Sequence, residues 1–336
     1  MESALAELNE VPLSLVGGGD IMLGGRSRSI ISERGEDYPF EAVRPLLRRA
    51  AIVLGNLEGP LAQRSLKEKR NYSYCVNPRL ARALALAGIN VVTLANNHLL
   101  DCGRRGVLET LEALDAAGVA SLGAGVNAQA AHAPVVIHAG LATVGLLGYY
   151  WNRRTAATAS LPGSATDLVE ELHTDIGALR KRVDRVVVTF HWGVPYEREP
   201  SPEDRAKAHL AVDCGADAVV GHHPHVVQPL EIYRGCPILY SVGNLAFGSG
   251  NSHAEGLLVG LRFEERETIV HVYPLYVKNR DRRVNYQPKV MRRQAAERVL
   301  CRLARMSGPS GSHLNIQSFR AVLRVPREDA RNGGRG

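Results

Sequence analysis

Short apolar, β-branched runs alternate with helical patterns over most of this 336-residue chain, and that alternation confines it to the α/β class. The expected strands are Leu13–Val16, Ile52–Leu54, Asn90–Leu94, Val135–His138, Thr143–Gly148, Arg185–Phe190 and Ala218–Val220. Helical spacing predicts Phe40–Ala50, Pro78–Ala87, Arg105–Ala117, Thr166–Val183 and Pro202–Cys214. In the third of these, Val107, Leu111 and Leu114 fall four and three apart, and Gly118 follows as a C-cap. Ser201 and Pro202 read as the N-cap and first residue of the last. After about Val226 the pattern changes. Val226–Tyr233, Ile238–Val242, Leu257–Phe263 and Ile269–Val277 read as consecutive strands of a second, more antiparallel sheet, and Val290–Met306 as an Arg-rich terminal helix. Arg153–Ala165 is the least patterned internal stretch and reads as a surface loop.

A hydrophobic content of 45% with 22% charged residues supplies a sizeable core. No apolar run reaches the ~20 residues a membrane span needs. Met1–Glu10 carries neither the basic nor the apolar region of a signal peptide. Cys75, Cys102, Cys214, Cys236 and Cys301 are odd in number and form no CxxC pair, so neither a disulfide framework nor a zinc ribbon is expected. These features together predict a cytoplasmic protein with reduced thiols and no membrane span. The net charge of +7 is uneven. From Lys278 onward there are 15 Lys and Arg against 4 Asp and Glu, whereas the remainder carries 26 against 30. Residues 11–286 therefore read as the functional domain and 287–336 as a basic C-terminal helix with a flexible tail. Only one aromatic residue, Phe319, follows Tyr286, so no base-stacking platform is available and no nucleic-acid partner is expected. A solvated helix face accounts for the basic segment; contact with an acidic polymer is the functional alternative.

Five segments place metal-capable or proton-transferring side chains just past an expected strand, the edge at which α/β sheets bind ligands. Asp20 follows three glycines in GGGDIML, where no Lys-Ser/Thr completes a phosphate loop. Asn56 and Glu58 follow the second strand in LGNLEGP. TLANNHLLDCG delivers Asn96, Asn97, His98 and Asp101 within six residues. Capping of the next helix explains one of these side chains and not four. An amide oxygen can bind a metal, His98 can act as acid or base, and Asp101 can orient its ring. His191 ends an apolar strand in VTFHWGV, and His222, His223 and His225 crowd into VVGHHPHVV. Imidazoles suit borderline divalent metals, and packing three into an apolar turn without a partner is costly. Asp20, Glu58, Asn97, His191, His223 and His225 mix oxygen and nitrogen donors and outnumber the ligands of one tetrahedral site. They suit two divalent ions ~3.5–4 Å apart with open positions for water, bridged by Glu58, and His98 would protonate the leaving group. Arg26 is a candidate anion contact; Trp192 and Tyr196 are candidates to line the pocket. No GxxxxGK[ST], dinucleotide GxGxxG, GxSxG or HExxH supports a nucleotide-driven, serine-hydrolase or zincin mechanism.

The ordered run GDIML, NLEGP, LANNHLLDCG, FHWG, GHHPHV and YSVGNLAFG, from Leu13 to about Val277, resembles the CapA family of poly-γ-glutamate capsule synthesis proteins, a branch of the calcineurin-like metallophosphoesterase superfamily. The resemblance implies a four-layer α/β/β/α arrangement of two sheets. It also implies metal ligands at Asp20, Glu58, Asn97, His191, His223 and His225, a catalytic His98, and a supporting position for His222 near the substrate. Two divalent ions (Mn, Fe, Zn or Mg) are implied. Met22 stands where the superfamily carries a His, so the second site is expected to be the weaker, and Pro195 stands where the family often has Glu. The implied activity is hydrolysis of a phosphoester or an amide, peptide-like and γ-glutamyl in one version, by metal-activated water. The alternative is a non-hydrolytic accessory protein that binds poly-γ-glutamate or another acidic polymer.

Overall fold

The computed structural model describes residues 12–63, 74–140, 142–249 and 255–328. In chain order the longer strands are β1 (Leu13–Met22), β2 (Ala50–Leu57), β3 (Val91–Thr93), β4 (Ala120–Leu122), β5 (Val135–Ala139), β6 (Ala142–Tyr149), β7 (Arg185–His191), β8 (Ala218–His222), β9 (Leu230–Tyr233), β10 (Cys236–Leu239), β11 (Asn244–Phe247), β12 (Glu255–Phe263), β13 (Glu267–Tyr276) and β14 (Ala321–Pro326). The helices of seven residues or more are α1 (Ser27–Arg34), α2 (Ala81–Ala87), α3 (Gly103–Ala116), α4 (Val169–Arg180), α5 (Pro202–Asp213) and α6 (Arg293–Met306).

These strands build a mixed α/β fold with two principal sheets. The first has ten strands, along the path β14-β13-β12-β1-β2-β3-β4, with β11 parallel to β1. The second has six, in the order β9-β10-β8-β7-β6-β5. Both faces of the central strands are buried, as runs of consecutive β-branched residues require. Val16, Val53 and Val92 pack against Ile31, Leu84, Val107 and Leu114 of α1–α3. Leu15, Ile52 and Val91 on the opposite face share a core with Val144, Val187 and Val220 of the second sheet. Val186, Val188 and Val219 then turn to Leu172 and Ile176 of α4 and to Ala208 and Val212 of α5.

Several expected elements hold in outline. α5 starts at Pro202 under a reciprocal cap, in which Ser201 Oγ accepts from the Asp204 N–H and the Asp204 carboxylate accepts from the Ser201 N–H, both at 3.0 Å. The expected helix Phe40–Ala50 is reduced to the turn Tyr38–Phe40 and the short helix Arg44–Leu47, because Pro45 lacks an N–H and opens a new helix, and Ala50 already belongs to β2. The strands after Val226 do not form a sheet of their own. β9 and β10 extend the second sheet from β8, whereas β12 pairs antiparallel with β1 and carries β13 and β14 into the first. Residues beyond 286 likewise contribute to the body, since β14 pairs with β13 and Val299, Leu300 and Leu303 of α6 are buried in the inter-sheet core. The charge count sees the exposed arginines of this segment but not the apolar stripe between them. The tail from residue 329 lies outside the described residues.

The thiol expectation is overturned. Cys75 and Cys102 form a disulfide, their Cα atoms 6.0 Å apart. Their spacing of 27 residues is no recognised motif; only the approach of the chain before Pro78 to the start of α3 brings them together. Cys214, Cys236 and Cys301 take no part in a disulfide among the described residues. Among the described residues no helix is long and apolar enough to cross a membrane.

Candidate metal centre

The strand ends deliver their polar side chains to one place. Asp20 sits in register between Asn56 of β2 and Asn244 of β11, and His191 lies beside His222 across the β7–β8 pair. Gly19 permits this convergence, because a Cβ there would stand 1.9 Å from the Gly243 carbonyl oxygen. The Asp20 N–H donates to that same carbonyl at 3.0 Å. Asp20 and Glu58 are fully buried. Asn56 Nδ2 lies 2.8 Å from Asp20 Oδ1, 3.1 Å from Glu58 Oε1 and 3.2 Å from His191 Nδ1, and so ties the first, second and fourth motifs together. His225 Nδ1 faces two acceptors, Asp20 Oδ2 at 2.9 Å and Asn244 Oδ1 at 2.9 Å, which puts the proton on Nδ1 and turns Nε2 toward Glu58 Oε2, 3.8 Å away. Donor atoms of Asp20, Glu58 and His225 all fall within 4.8 Å of one another. His222 Nδ1 is 3.6 Å from Asp20 Oδ1, too long for a hydrogen bond. Both His222 ring nitrogens and Glu58 Oε2 are buried without a hydrogen-bond partner.

A second group adjoins the first. His191 Nε2 donates to Asn97 Oδ1 at 2.9 Å, and the His191 and His223 rings lie 4.5 Å apart. His223 and His225 hold left-handed backbones, with φ of 98° and 56°, a strain of about 1–3 kcal/mol each that the surrounding turn must enforce. His98 Nδ1 donates to Asp101 Oδ2 at 2.8 Å, leaving Nε2 as the atom able to exchange a proton. His98 is close enough to act electrostatically on both His191 and His223.

Burial dominates the charges. It pushes Glu58 well above the usual carboxyl range, reinforced by the neighbouring Asp20. Burial also pulls Asp20 upward, but His225 and His222 outweigh it and hold Asp20 below its ordinary value. His222 and His223 are driven down to about 4 by burial, and His191 well below its ordinary range by burial and the surrounding imidazoles. His225 goes the other way, up to about 9, because Glu58 and Asp20 overcome its desolvation. Three neutral imidazoles, a charged carboxylate and a second carboxyl with an unanswered oxygen form a donor set that suits a divalent cation.

A scan for known families matches the description bacterial capsule synthesis protein PGA_cap over residues 14–249. The chain belongs to this family. It is 34% identical over 275 residues to the capsule biosynthesis protein CapA of Bacillus anthracis, an alignment covering 77% of this chain and 66% of the relative. It is 32% identical over 237 residues to the PGA biosynthesis protein CapA of Bacillus subtilis, covering 69% and 62%. A probable polyglutamine synthesis accessory protein of Mycobacterium tuberculosis is 32% identical over 224 residues, covering 62% and 59%. The chain thus spans somewhat less than two thirds of these relatives' length.

In this member of the family a cavity of about 510 Å³ opens beside the centre, with His191 and His223 in its wall. Asp167, Glu197, Glu199, Glu203 and Asp204 also line it. The lining cation, Lys207, is held by Asp167 at 2.9 Å and Glu203 at 3.1 Å. Tyr196 is half exposed, its ring 6.2 Å from that of His225. Trp192 lines this cavity and is also packed into the core: it stacks on Phe190 at 4.7 Å, and its indole N–H donates to the Tyr240 carbonyl at 2.8 Å. The Arg26 side chain is exposed, while its backbone N–H donates to the Gly248 carbonyl and its carbonyl accepts from Ser29 Oγ. Met22 is buried, with its sulfur accepting from the Gly24 N–H at 3.1 Å. The motifs carried Asn56 and Asn96 without assigning either a partner, and gave no role to Asn244 or Tyr74. Asn96 Nδ2 donates to Asn56 Oδ1 and to the Leu57 carbonyl, and so fixes the His98 loop to the end of β2. The GNLAFG run carried Asn244 in plain view; its register beside Asp20 is what reveals a purpose.

Proposed function

We propose that the chain is a metal-dependent hydrolase of capsule-polymer metabolism, acting on an amide (peptide-like, γ-glutamyl) or phosphoester bond. The observation that carries the reading is the meeting, at one edge of the fold, of an incompletely satisfied Asp20–Glu58–His225 cage with the His98–Asp101 pair. Asp20, Glu58 and His225 would hold one divalent ion, and Asn97, His191 and His223 the donors of a second, with His222 beside Asp20. Bound ions would supply Lewis acidity and a water of lowered pKa. Asp101 keeps the His98 Nδ1 proton in place, so His98 Nε2 is free to pass a proton to the departing oxygen or nitrogen. Met22, two residues past Asp20 on β1, offers no imidazole there, which supports unequal occupancy of the two positions. The sharing of one inter-sheet core by the two sheets, with helices packed on their outer faces, supports the four-layer arrangement. Protein reconstituted with Mn²⁺ or Zn²⁺ should turn over one of three probes: a phosphodiester, a phosphomonoester or a γ-glutamyl amide. His98→Ala should abolish that turnover with the fold intact; no turnover by the metal-loaded protein on any probe would count against the reading.

The relatives' names also support an accessory role with poly-γ-glutamate. Arg298 and Arg305 on the outer face of α6, with no ion pair among the described residues, favour contact with an acidic polymer. Arg298→Glu with Arg305→Glu should then remove polymer binding and its salt dependence. α6 and β14 belong to the core, so charge reversal is a cleaner test than truncation.

A further inference from the structure

His98 and Asp101 are not held by their own loop alone. The backbone N–H of Tyr74 donates to Asp101 Oδ2 at 2.8 Å, the same oxygen that accepts from His98 Nδ1. The Tyr74 ring lies 4.4 Å from the imidazole of His98 and meets Phe247 edge-on at 5.8 Å. Phe247 in turn lies 4.8 Å from His225, so Tyr74 and Phe247 bridge the proton-transfer pair to the cage.

The disulfide acts on this contact directly. Cys75 follows Tyr74, and Cys102 follows Asp101, so both partners of the Tyr74–Asp101 hydrogen bond stand one residue from the cross-link. The cystine is buried against Ala62, and a Cβ at Gly106 would stand 2.4 Å from Cys102 Cβ, so the first turn of α3 is shaped to admit it. Arg28 donates to the Cys75 carbonyl and fastens the same segment from α1.

We propose that the Cys75–Cys102 disulfide is a redox-sensitive clamp that holds Tyr74 against Asp101 and thereby positions the His98 imidazole. Tyr74 is a positioning residue: it reaches the reacting atoms only through Asp101 and His98. A dithiol opens the clamp in two exchanges. Its first thiolate attacks one sulfur to give a mixed disulfide and frees one cysteine, and its second closes on the first. The dithiol leaves as a cyclic disulfide, having given up two electrons, and Cys75 and Cys102 each take a proton. The catalytic consequence rests on reading His98–Asp101 as a proton-transfer pair; the structural one does not.

Hydrogen exchange on the full chain, air-oxidised and dithiothreitol-reduced, separates the two. The Tyr74 amide should exchange at least tenfold faster after reduction, and in a Cys75→Ser, Cys102→Ser variant, while β7 and β8 keep their protection. In the metal-loaded protein the same double variant should lower kcat at least tenfold with KM unchanged. Tyr74→Phe should retain kcat and Tyr74→Ala should lose it. Equal Tyr74 exchange in both redox states, or five free thiols in the air-oxidised protein, would overturn the clamp. Redox-dependent exchange in a protein that turns over nothing would leave the clamp standing and remove the hydrolase reading instead.

Discussion

Around Asp175 polar groups answer one another; around Asp20 several do not. His132 Nδ1 donates to Asp175 Oδ2 at 2.7 Å, the Tyr149 hydroxyl donates to the same oxygen at 3.1 Å, and His132 Nε2 accepts from the Thr166 N–H at 3.3 Å. The Thr166 hydroxyl and the Leu168 N–H both donate to Glu171. That network closes on itself and joins β6 to α4. The cage is more deeply buried, with Asp20, Glu58 and His222 at 0% exposure against 17% for the His132 and Asp175 side chains, yet it leaves both nitrogens of His222, Nδ1 of His223 and one oxygen of Glu58 unpaired. Each unanswered buried polar group costs about 1–3 kcal/mol, so a fold keeps such a set only where something else uses it. The closed cluster spends its donors and acceptors on itself; the open one keeps several to spare.

Substitutions in the two clusters should therefore have opposite signatures. Asp20→Ala should reduce bound divalent metal to background by elemental analysis while circular dichroism stays native. His98→Ala, with metal retained, should lower kcat by about 10²–10⁴ in a steady-state assay. Asn244→Ala, which removes one of the two acceptors of His225 Nδ1, should weaken metal affinity by about 10–100-fold in a chelator competition. His225 holds a proton up to about 9, and a metal must displace it, so apparent affinity should rise by about tenfold per pH unit from 7 to 9 and level off above. A flat profile would show that His225 is not a ligand. Asp175→Ala should cost about 1–3 kcal/mol in a denaturant titration and leave metal content unchanged. Metal loss in that variant would erase the distinction between the clusters.

The cage was legible because each member ends a recognisable strand and carries a side chain that apolar packing does not explain. His191 and Asp20 illustrate this: an apolar run leads straight into His191, and an apolar run followed by three glycines leads into Asp20. Asn56 and Asn96 stood among the strand-end polar residues of the sequence and Asn244 did not, and none of the three had an assigned partner until register set them beside Asp20 and the Leu57 carbonyl. Trp192 serves two purposes: one residue past His191 it packs onto Phe190 and Tyr240, and it also lines the cavity beside the centre. The division of the later strands between two sheets has no local signal either. β9 is a short alternating LEIY and β12 a longer apolar run, but neither pattern names its sheet; pairing with β10 or with β1 does. Tyr74 and its disulfide depend on a meeting across 27 residues that no spacing rule encodes.

The most direct test is anomalous diffraction from crystals of the full chain equilibrated with Mn²⁺ or Zn²⁺. A peak bounded by Asp20, Glu58 and His225, with ligand distances of about 2.0–2.3 Å and a weaker neighbour near His191 and His223, is the expected result. A folded protein with no peak at that position, whichever cation is supplied, would contradict the account.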